Sequence, residues 1–299
     1  MVQSLTSAKS KFLSLSTDFT IQTSPMNKFT IINTIARLPI PYSFWSALEK
    51  ISVYCKGQGY NPENNVVNEV DRIYKMVESK KPIVFYDIGA NKGQYSVAFL
   101  GKFKDLLTKT YMFEPEPTLF DGLTSKFSQH SSIVLSDKAL SNTSGFSTLM
   151  TTTPPGSLYG SLVDRDTSRY GFKMDTKFEV ETIRFDEYCD EQMISELNDN
   201  KILKVLKMDV EGHEMNVLEG IGRYIKKIDI IQFEFGHCHI DSRVFFKDFW
   251  DFFNNELFSI YLITPRGLHK YIEYSDRYEM FMTTNFIAVN NNSIALKKD

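Results

Sequence analysis

The stretch Ile83-Val84-Phe85-Tyr86-Asp87-Ile88-Gly89-Ala90-Asn91-Lys92-Gly93-Gln94-Tyr95 constrains the fold of this chain more than any other. An apolar run ends in an acid, two glycines follow, and a helical pattern begins after them. That order suits a buried parallel strand that turns into a helix while its backbone comes close to a ligand. Glycine has no Cβ and tolerates positive φ, which such a turn needs. The helix N-terminus beyond it offers unpaired N–H groups and a partial positive charge. An ordinary βα turn without a ligand has the same texture, so the turn alone leaves both readings open.

Spacing narrows the choice of ligand. A dinucleotide fingerprint reads G-x-G-x-x-G, with its acid about 20 residues downstream. A P-loop ends in Gly-Lys-Ser/Thr. Neither is present, and here Asp87 precedes the first glycine. A carboxylate at a strand tip suits a ligand with an ammonium group, such as the methionine end of S-adenosylmethionine, rather than a pyrophosphate.

The chain has 299 residues, which allows one large or two modest domains. Its formal net charge of -3, with no dominant basic block, argues against nucleic acid as a partner. No apolar run approaches the ~20 residues of a membrane span. Cys55, Cys189 and Cys238 are scattered and form no CxxC pair, so no disulfide framework is expected and a reducing cytoplasm is the simplest home. The first two dozen residues are rich in Ser and Thr, lack arginine and lack the apolar core of a secretory signal. They are expected to form a loosely held arm.

Residues 26–80 read as helical, interrupted at Pro39 and Pro41 and again from Gly57 to Pro62. A further helix runs from Asn68 to Lys80, with Val70, Ile73, Tyr74 and Val77 on one face. Residues 1–80 are therefore expected to be an arm and a helical cap, and residues 81–299 the main domain. From Ile83 strands alternate with helices: strands at Ile83–Asp87, Thr110–Glu114, Ser132–Ser136, Leu203–Asp209 and Ile228–Phe235, helices at Gln94–Phe103, Thr118–Ser128, Phe185–Leu197, His213–Ile225 and Val244–Leu257. Phe258–Ile263 and Asn285–Val289 close the sheet. This alternation predicts an α/β fold, a mostly parallel sheet with helices on both faces. Phe146–Met150 and Phe178–Ile183 are expected to pair. The long segment between them, about 151–177, is expected to be a substrate loop, surface decoration being the alternative.

In an open parallel sheet, ligands bind beyond the carboxyl ends of the strands. Those ends carry Asp87, Glu114 with Pro115, Asp137-Lys138-Ala139, Asp209 with Glu211, and Glu234. Glu114 can accept bonds from two ribose hydroxyls, as it would for NAD as well. Asp137 can accept from an adenine amine.

Three segments together resemble a known family: Asp87-Ile88-Gly89-Ala90-Asn91-Lys92-Gly93-Gln94-Tyr95, Phe113-Glu114-Pro115, and Lys207-Met208-Asp209-Val210-Glu211-Gly212-His213-Glu214. They are similar to the FkbM-type S-adenosylmethionine-dependent methyltransferases, over about residues 82–290. The resemblance implies a Rossmann-like, class I methyltransferase fold with a seven-stranded sheet and an antiparallel final strand. It implies methyl transfer to a hydroxyl of a sugar, glycan or small natural product. The methionine end would lie against Asp87, Gly89, Asn91 and Gly93, the ribose on Glu114, and the adenine on Asp137, Lys138 and Ala139. Ala90, Gln94, Tyr95 and Pro115 would complete the cofactor site.

A hydroxyl is a poor nucleophile until a base takes its proton. Asp209 and Glu211 are expected to serve, supported by Glu234, because two close carboxylates raise one pKa. Helix capping is the alternative role for Glu211 and Glu214. His213, His237, Ser157 and Ser161 are expected to line the acceptor. His237-Cys238-His239, read as extended, would point two histidines the same way, yet without a clear third ligand no metal is expected there. A divalent ion on Asp209, Glu211 and Glu234 is the unfavoured variant. The competing readings are a nicotinamide-dependent oxidoreductase, which the missing G-x-G-x-x-G argues against, and a non-catalytic scaffold, which the intact acids argue against.

Overall fold

The computed structural model describes residues 28–59, 65–77, 81–156 and 159–293. The expected N-terminal arm therefore lies outside the described residues. The chain divides into two compact units, residues 1–49 and 50–299. The division falls earlier than the change of texture at Lys81.

In the first unit lie helix α1 (Lys28–Ala36) and the start of α2 (Tyr42–Cys55). The break between them coincides with Pro39 and Pro41, as proline forbids helix continuation. Phe29, Ile31, Ile32 and Ile35 of α1 are all exposed.

The second unit continues in chain order with α3 (Asn65–Met76), β1 (Ile83–Ile88), α4 (Gln94–Lys102), β2 (Leu107–Phe113), α5 (Pro117–Phe127) and β3 (Ile133–Ser136). After them come β4 (Ala139–Leu140), β5 (Gly145–Thr151), β6 (Thr176–Ile183), α6 (Phe185–Glu191), β7 (Leu203–Met208), α7 (Glu214–Ile221) and β8 (Ile230–Phe235). The last elements are α8 (Cys238–Ser242), α9 (Phe246–Asn255), β9 (Phe258–Thr264), β10 (Gly267–Lys270) and β11 (Thr284–Asn290).

The main sheet has the order β10-β9-β11-β8-β7-β1-β2-β3. Strands β3, β2, β1, β7 and β8 are parallel, and β11 runs antiparallel to both β8 and β9. This is the Rossmann-like α/β architecture expected, with one strand more. The extra strand, β10, folds back on β9 as an antiparallel hairpin. Its turn is Thr264-Pro265-Arg266-Gly267, where Thr264 Oγ1 accepts from the N–H groups of Arg266 and Gly267. A smaller sheet, β4-β6-β5, carries the expected pairing of β5 with β6.

Side-chain alternation places the sheet between two helical layers. Within β1, Val84, Tyr86 and Ile88 enter one core and Ile83 and Phe85 the other. The first core includes Phe185 and Tyr188 of α6, Leu218 and Ile221 of α7, and Phe246, Phe249 and Phe253 of α9. The second holds Val70 and Ile73 of α3 with Tyr95 and Phe99 of α4. Helix α3 is thus part of the sheet's own covering layer. Phe99 stacks on Phe85 with ring centroids 4.0 Å apart.

Two helices are shorter than their apolar patterns. The helix expected over Phe185–Leu197 stops at Glu191 and resumes as a 3-10 turn at Ser195–Asn198; between them Met193 has a φ of 50°. The one expected to reach Ile225 stops at Ile221 and tightens into a 3-10 segment over Gly222–Lys227. Residues 237–239, expected to be extended, instead start α8, where Gly236 lies so close to Thr283 that a Cβ would sit 2.8 Å from its Cα.

Candidate active site

The strand order reverses between β1 and β7, one leading out to β2 and the other to β8. Ligand crevices in open α/β sheets lie beyond the carboxyl ends at such a point. Here those ends are the Gly89–Gly93 turn and the Asp209–Gly212 turn. They touch: Asp209 N–H donates to Ile88 O at 3.0 Å, and a Cβ on Gly89 would stand 2.1 Å from Asp209 O. Gly89 has a φ of 74° and lies against the end of β2 through N–H donation to Phe113 O at 3.0 Å. Only glycine meets both demands.

Two clefts open on either side of this contact. The first, about 580 Å³ including its mouth, is lined by Phe113, Glu114, Pro115, Lys138, Ala139 and Leu140, with Ser161 and His213. The second, about 1280 Å³ including its mouth, is lined by Glu69, Gln94, Tyr95, Tyr159, Lys207, Glu234, His237 and Asn285. Both are lined by Gly89, Asn91, Asp209 and Glu211. Most of the residues singled out from sequence are brought together around this junction.

Glu114 is buried at the end of β2, accepting from Asn91 N–H at 2.8 Å and Glu116 N–H at 3.0 Å, one oxygen each. Each oxygen keeps further acceptor capacity. Burial pushes its carboxyl up to about 7, against the pull of those backbone bonds. Lys138 lines the first cleft and pairs with Glu181.

Some expected residues lie elsewhere. Asp87 sits inside β1 with no exposure and lines neither cleft. Its Oδ2 accepts from Ser96 Oγ at 2.7 Å, and Lys207 Nζ is 3.6 Å from Oδ1. Burial raises its pKa, with Lys207 and Ser96 opposing. Its part is to anchor Lys207 and the first turn of α4. Asp137 is exposed and outside the first cleft, where its neighbours Lys138 and Ala139 supply the wall. Gly93 lines neither cleft either; with a φ of 72°, it packs where a Cβ would meet Phe127 at 2.7 Å. Ser157 lies outside the described residues. Ser161 is buried, and its hydroxyl donates to Glu211 O at 2.8 Å.

Of the three carboxylates expected to work as base, Asp209 and Glu211 line both clefts and Glu234 lines the second. Asp209 has a side chain 41% exposed and lies 3.5 Å from Lys207 Nζ. Glu211 has a φ of 55° and pairs with Arg165. Burial raises its pKa, Asp209 adds to this, and Arg165 opposes it. Glu234 is pushed well up by burial and then by Asp209, Glu211 and Glu214. Glu214 differs: burial pushes it up, but His239 and backbone amides outweigh this and hold it below the usual range.

Two charged residues of the second cleft, Lys207 and Glu69, were given no role from the sequence. Lys207 is a buried cation at the end of β7. Burial alone would lower its pKa, yet Asp209, Asp87 and Glu69 hold it above the ordinary lysine range. Glu69 reaches in from α3, accepting from Gln232 Nε2 at 2.6 Å and Asn285 Nδ2 at 3.0 Å, and burial pushes it up to about 7. Lys207 was within reach of sequence reading, as a lysine in a buried strand beside a terminal acid.

His237 Nδ1 lies 3.0 Å from Thr283 Oγ1, and His213 Nε2 lies 2.9 Å from Ser141 Oγ. Burial lowers both imidazoles. Among the described residues, Glu214, Cys238 and His239 form the set with ligand atoms within 4.8 Å of one another. Glu214 already accepts from Val210 N–H and Gly212 N–H, and His239 Nδ1 from Gly236 N–H. These bonds give the cluster a structural task. Asp209, Glu211 and Glu234 do not form such a set, and His237 and His239 do not join in one. All three cysteines are free. Among the described residues, no helix is long and apolar enough to cross a membrane.

Comparison with solved structures finds three of interest. Methyltransferase FkbM from Methylobacillus flagellatus KT is 17% identical, with a TM-score of 0.40 over 69% of this chain, which spans 43% of that protein's length. Precorrin-6y C5,15-methyltransferase from Geobacter metallireducens GS-15 is 9% identical, with a TM-score of 0.37 over 76% of this chain and 87% of the other. The 23S rRNA methyltransferase ErmE is 10% identical, with a TM-score of 0.39 over 80% of this chain and 72% of the other. No curated protein matches the sequence. The methyltransferase FkbM domain model matches residues 87–260, which run from the acid of the first turn to the middle of β9 and take in both clefts' junction. That match sets the nicotinamide reading aside, and the chain belongs to the FkbM methyltransferase family.

Proposed function

We propose that the chain transfers a methyl group from S-adenosylmethionine to a hydroxyl of a sugar, glycan or similar small polyhydroxylated molecule, with a carboxylate as general base. One observation carries the reading: two clefts of different character meet at Gly89, Asn91, Asp209 and Glu211. A two-substrate transfer needs such a meeting point.

The residues present fit the cofactor. The first cleft combines apolar walls from Phe113, Leu119 and Leu140 with the Glu114 carboxylate, whose spare acceptor capacity suits vicinal hydroxyls. Pro115, Lys138 and Ala139 would flank the base. Toward the second cleft, Asn91, Gln94 and Lys207 would face the amino-acid end, and Lys207 suits its carboxylate. When bound, the cofactor supplies an activated methyl group on a cationic sulfur.

The acceptor would lie in the second cleft. Tyr159 and His237 line it, Tyr159 stacks on Phe172 at 4.6 Å, and Tyr170 lies 4.8 Å from the His237 ring. Aromatic faces beside carboxylates suit a molecule that is apolar on its ring face and rich in hydroxyls. Glu211 would take the hydroxyl proton, with burial and the Asp209 carboxylate raising its affinity for that proton. The chain's net charge of -3, with no dominant basic block, disfavours a polyanionic acceptor.

Titration calorimetry with S-adenosylmethionine and S-adenosylhomocysteine tests the cofactor. Absence of binding at millimolar concentration refutes the proposal. Mass spectrometry of glycans and metabolites from cells with and without the gene tests the acceptor, through disappearance of one methyl's mass.

A further inference from the structure

The turn that carries Glu211 is held from two sides, and only one of them belongs to the family motif. From below, the Glu214 carboxylate bridges the residues flanking Glu211: Val210 N–H donates at 3.0 Å and Gly212 N–H at 2.9 Å. His239 Nε2 stands 3.0 Å behind that carboxylate. From above, the loop between β5 and β6 reaches over. Ser161 is pinned to β5 by a two-way backbone bridge with Met150, and its hydroxyl donates to Glu211 O. Four residues on, Arg165 Nη1 donates to Glu211 Oε2.

Arg165 is an unusual side chain for a loop. Its guanidinium has no exposure, and Nε and Nη2 have no protein partner. A buried guanidinium with a single anionic partner and two unpaired nitrogens carries a desolvation penalty that the pair repays only in part. The partner needs placing, because Glu211 sits at a φ of 55°, where a residue with a Cβ is rarely found. The loop is tied down further by Arg169 to Asp241 at 2.8 Å.

We infer that Arg165 is a positioning residue, through which the loop between β5 and β6 aims the Glu211 carboxylate at the junction of the clefts and sets its proton affinity. This rests on the reading of Glu211 as the base. Loop and base are then one device: a chain that changes its loop to suit another acceptor changes its base as well. The charged and titratable groups facing Glu211 are Arg165 from the loop, Asp209 in its own turn, Glu214 of α7, Glu234 of β8 and the Cys238 thiol of α8.

The test needs no acceptor. The full chain is labelled with carboxyl-¹³C glutamate, and the Glu211 resonance is assigned by its loss in Glu211→Gln. Removing the cation with Arg165→Gln is expected to raise the Glu211 midpoint by about one pH unit, a tenfold rise in proton affinity. Arg165→Lys keeps the charge without the fork and is expected to shift it less. A purely structural arginine would lower the melting temperature and leave the midpoint in place. An unmoved midpoint in Arg165→Gln overturns the inference, as do equal shifts in both variants. If Arg165→Gln does not fold, Arg165→Met, which keeps the stem without the charge, decides by the same measure: an unmoved Glu211 midpoint refutes it. Calorimetry with S-adenosylhomocysteine on the unaltered chain runs separately. Its failure would remove the methyl-transfer reading while leaving the measured coupling intact.

Discussion

Gly89→Ala tests the idea that the junction of the clefts is built from a backbone-to-backbone contact. The added Cβ would stand 2.1 Å from Asp209 O, 3.0 Å from Asp209 C and 3.3 Å from Val210 Cγ1. The obstacle is main chain, so no rotamer change relieves it. A left-handed φ costs roughly 1–2 kcal/mol for a residue with a Cβ. Forced overpacking adds about 1–3 kcal/mol. Together they give about 2–5 kcal/mol, which for a domain of this size lowers Tm by about 4–20 °C. The strand ends of β1 and β7 must also part, where Asp209 N–H donates to Ile88 O. Since Asp209 lines both clefts, affinity for S-adenosylhomocysteine is expected to fall by about tenfold or more, about 1.4 kcal/mol. Circular dichroism melting and calorimetry read the two effects. Gly101→Ala is the control, for nothing lies within 4 Å of a Cβ there and alanine favours the helix. A Gly89→Ala variant that melts within about 2 °C of the parent and binds as tightly would refute the reasoning.

Glu114→Gln places an amide N–H₂ against the N–H of Asn91 or Glu116, leaving a buried donor without an acceptor at a cost of about 1–3 kcal/mol. Calorimetry should then show S-adenosylhomocysteine binding weakened about 10- to 100-fold, and unchanged affinity would remove Glu114 from the cofactor site. Phe99→Ala, at a fully buried ring stacked between Phe85 and Phe103, should cost about 3–5 kcal/mol in urea unfolding; a loss under 1 kcal/mol would contradict the packing account. Glu69 and Glu114 are both raised from 4.5 to about 7, so the folded chain holds their protons more tightly than the unfolded one. Their stabilising contribution is full below pH 4.5 and is lost as pH rises through about 7. Melting curves of ligand-free Glu69→Gln across that window should be flatter than those of the parent, and an identical slope would show that Glu69 is not held protonated.

The sheet was legible because its strands are short, apolar and bounded by acids, and because buried strands tolerate few polar residues. The same logic ran too far at Asp87. A strand-tip acid reads as a ligand contact, but β1 extends one residue further, to Ile88, and Asp87 turns inward onto Lys207 and Ser96. The β9–β10 hairpin was not foreseen, because its second strand is only four residues long and half-exposed, too brief to show a period.

The second cleft was illegible for a different reason. Its decisive pairings join residues far apart in sequence: Glu69 meets Gln232 and Asn285, and Arg165 meets Glu211. No local pattern announces them, since each is an ordinary charged residue on a helix or in a loop. In the two motif turns Gly89, Asn91, Asp209 and Glu211 line both clefts and were readable from spacing, whereas Asp87 and Gly93 line neither. The other residues of the second cleft come in part from α3, from the loop after β5 and from the start of α8. Their positions follow from tertiary packing alone. It follows that exchange of residues 152–175 should redirect the acceptor while leaving cofactor affinity to Glu114 and the Gly89 turn. The Ser161 and Arg165 contacts set the limit, because an exchanged loop that loses them would unseat Glu211 and lose turnover with any acceptor.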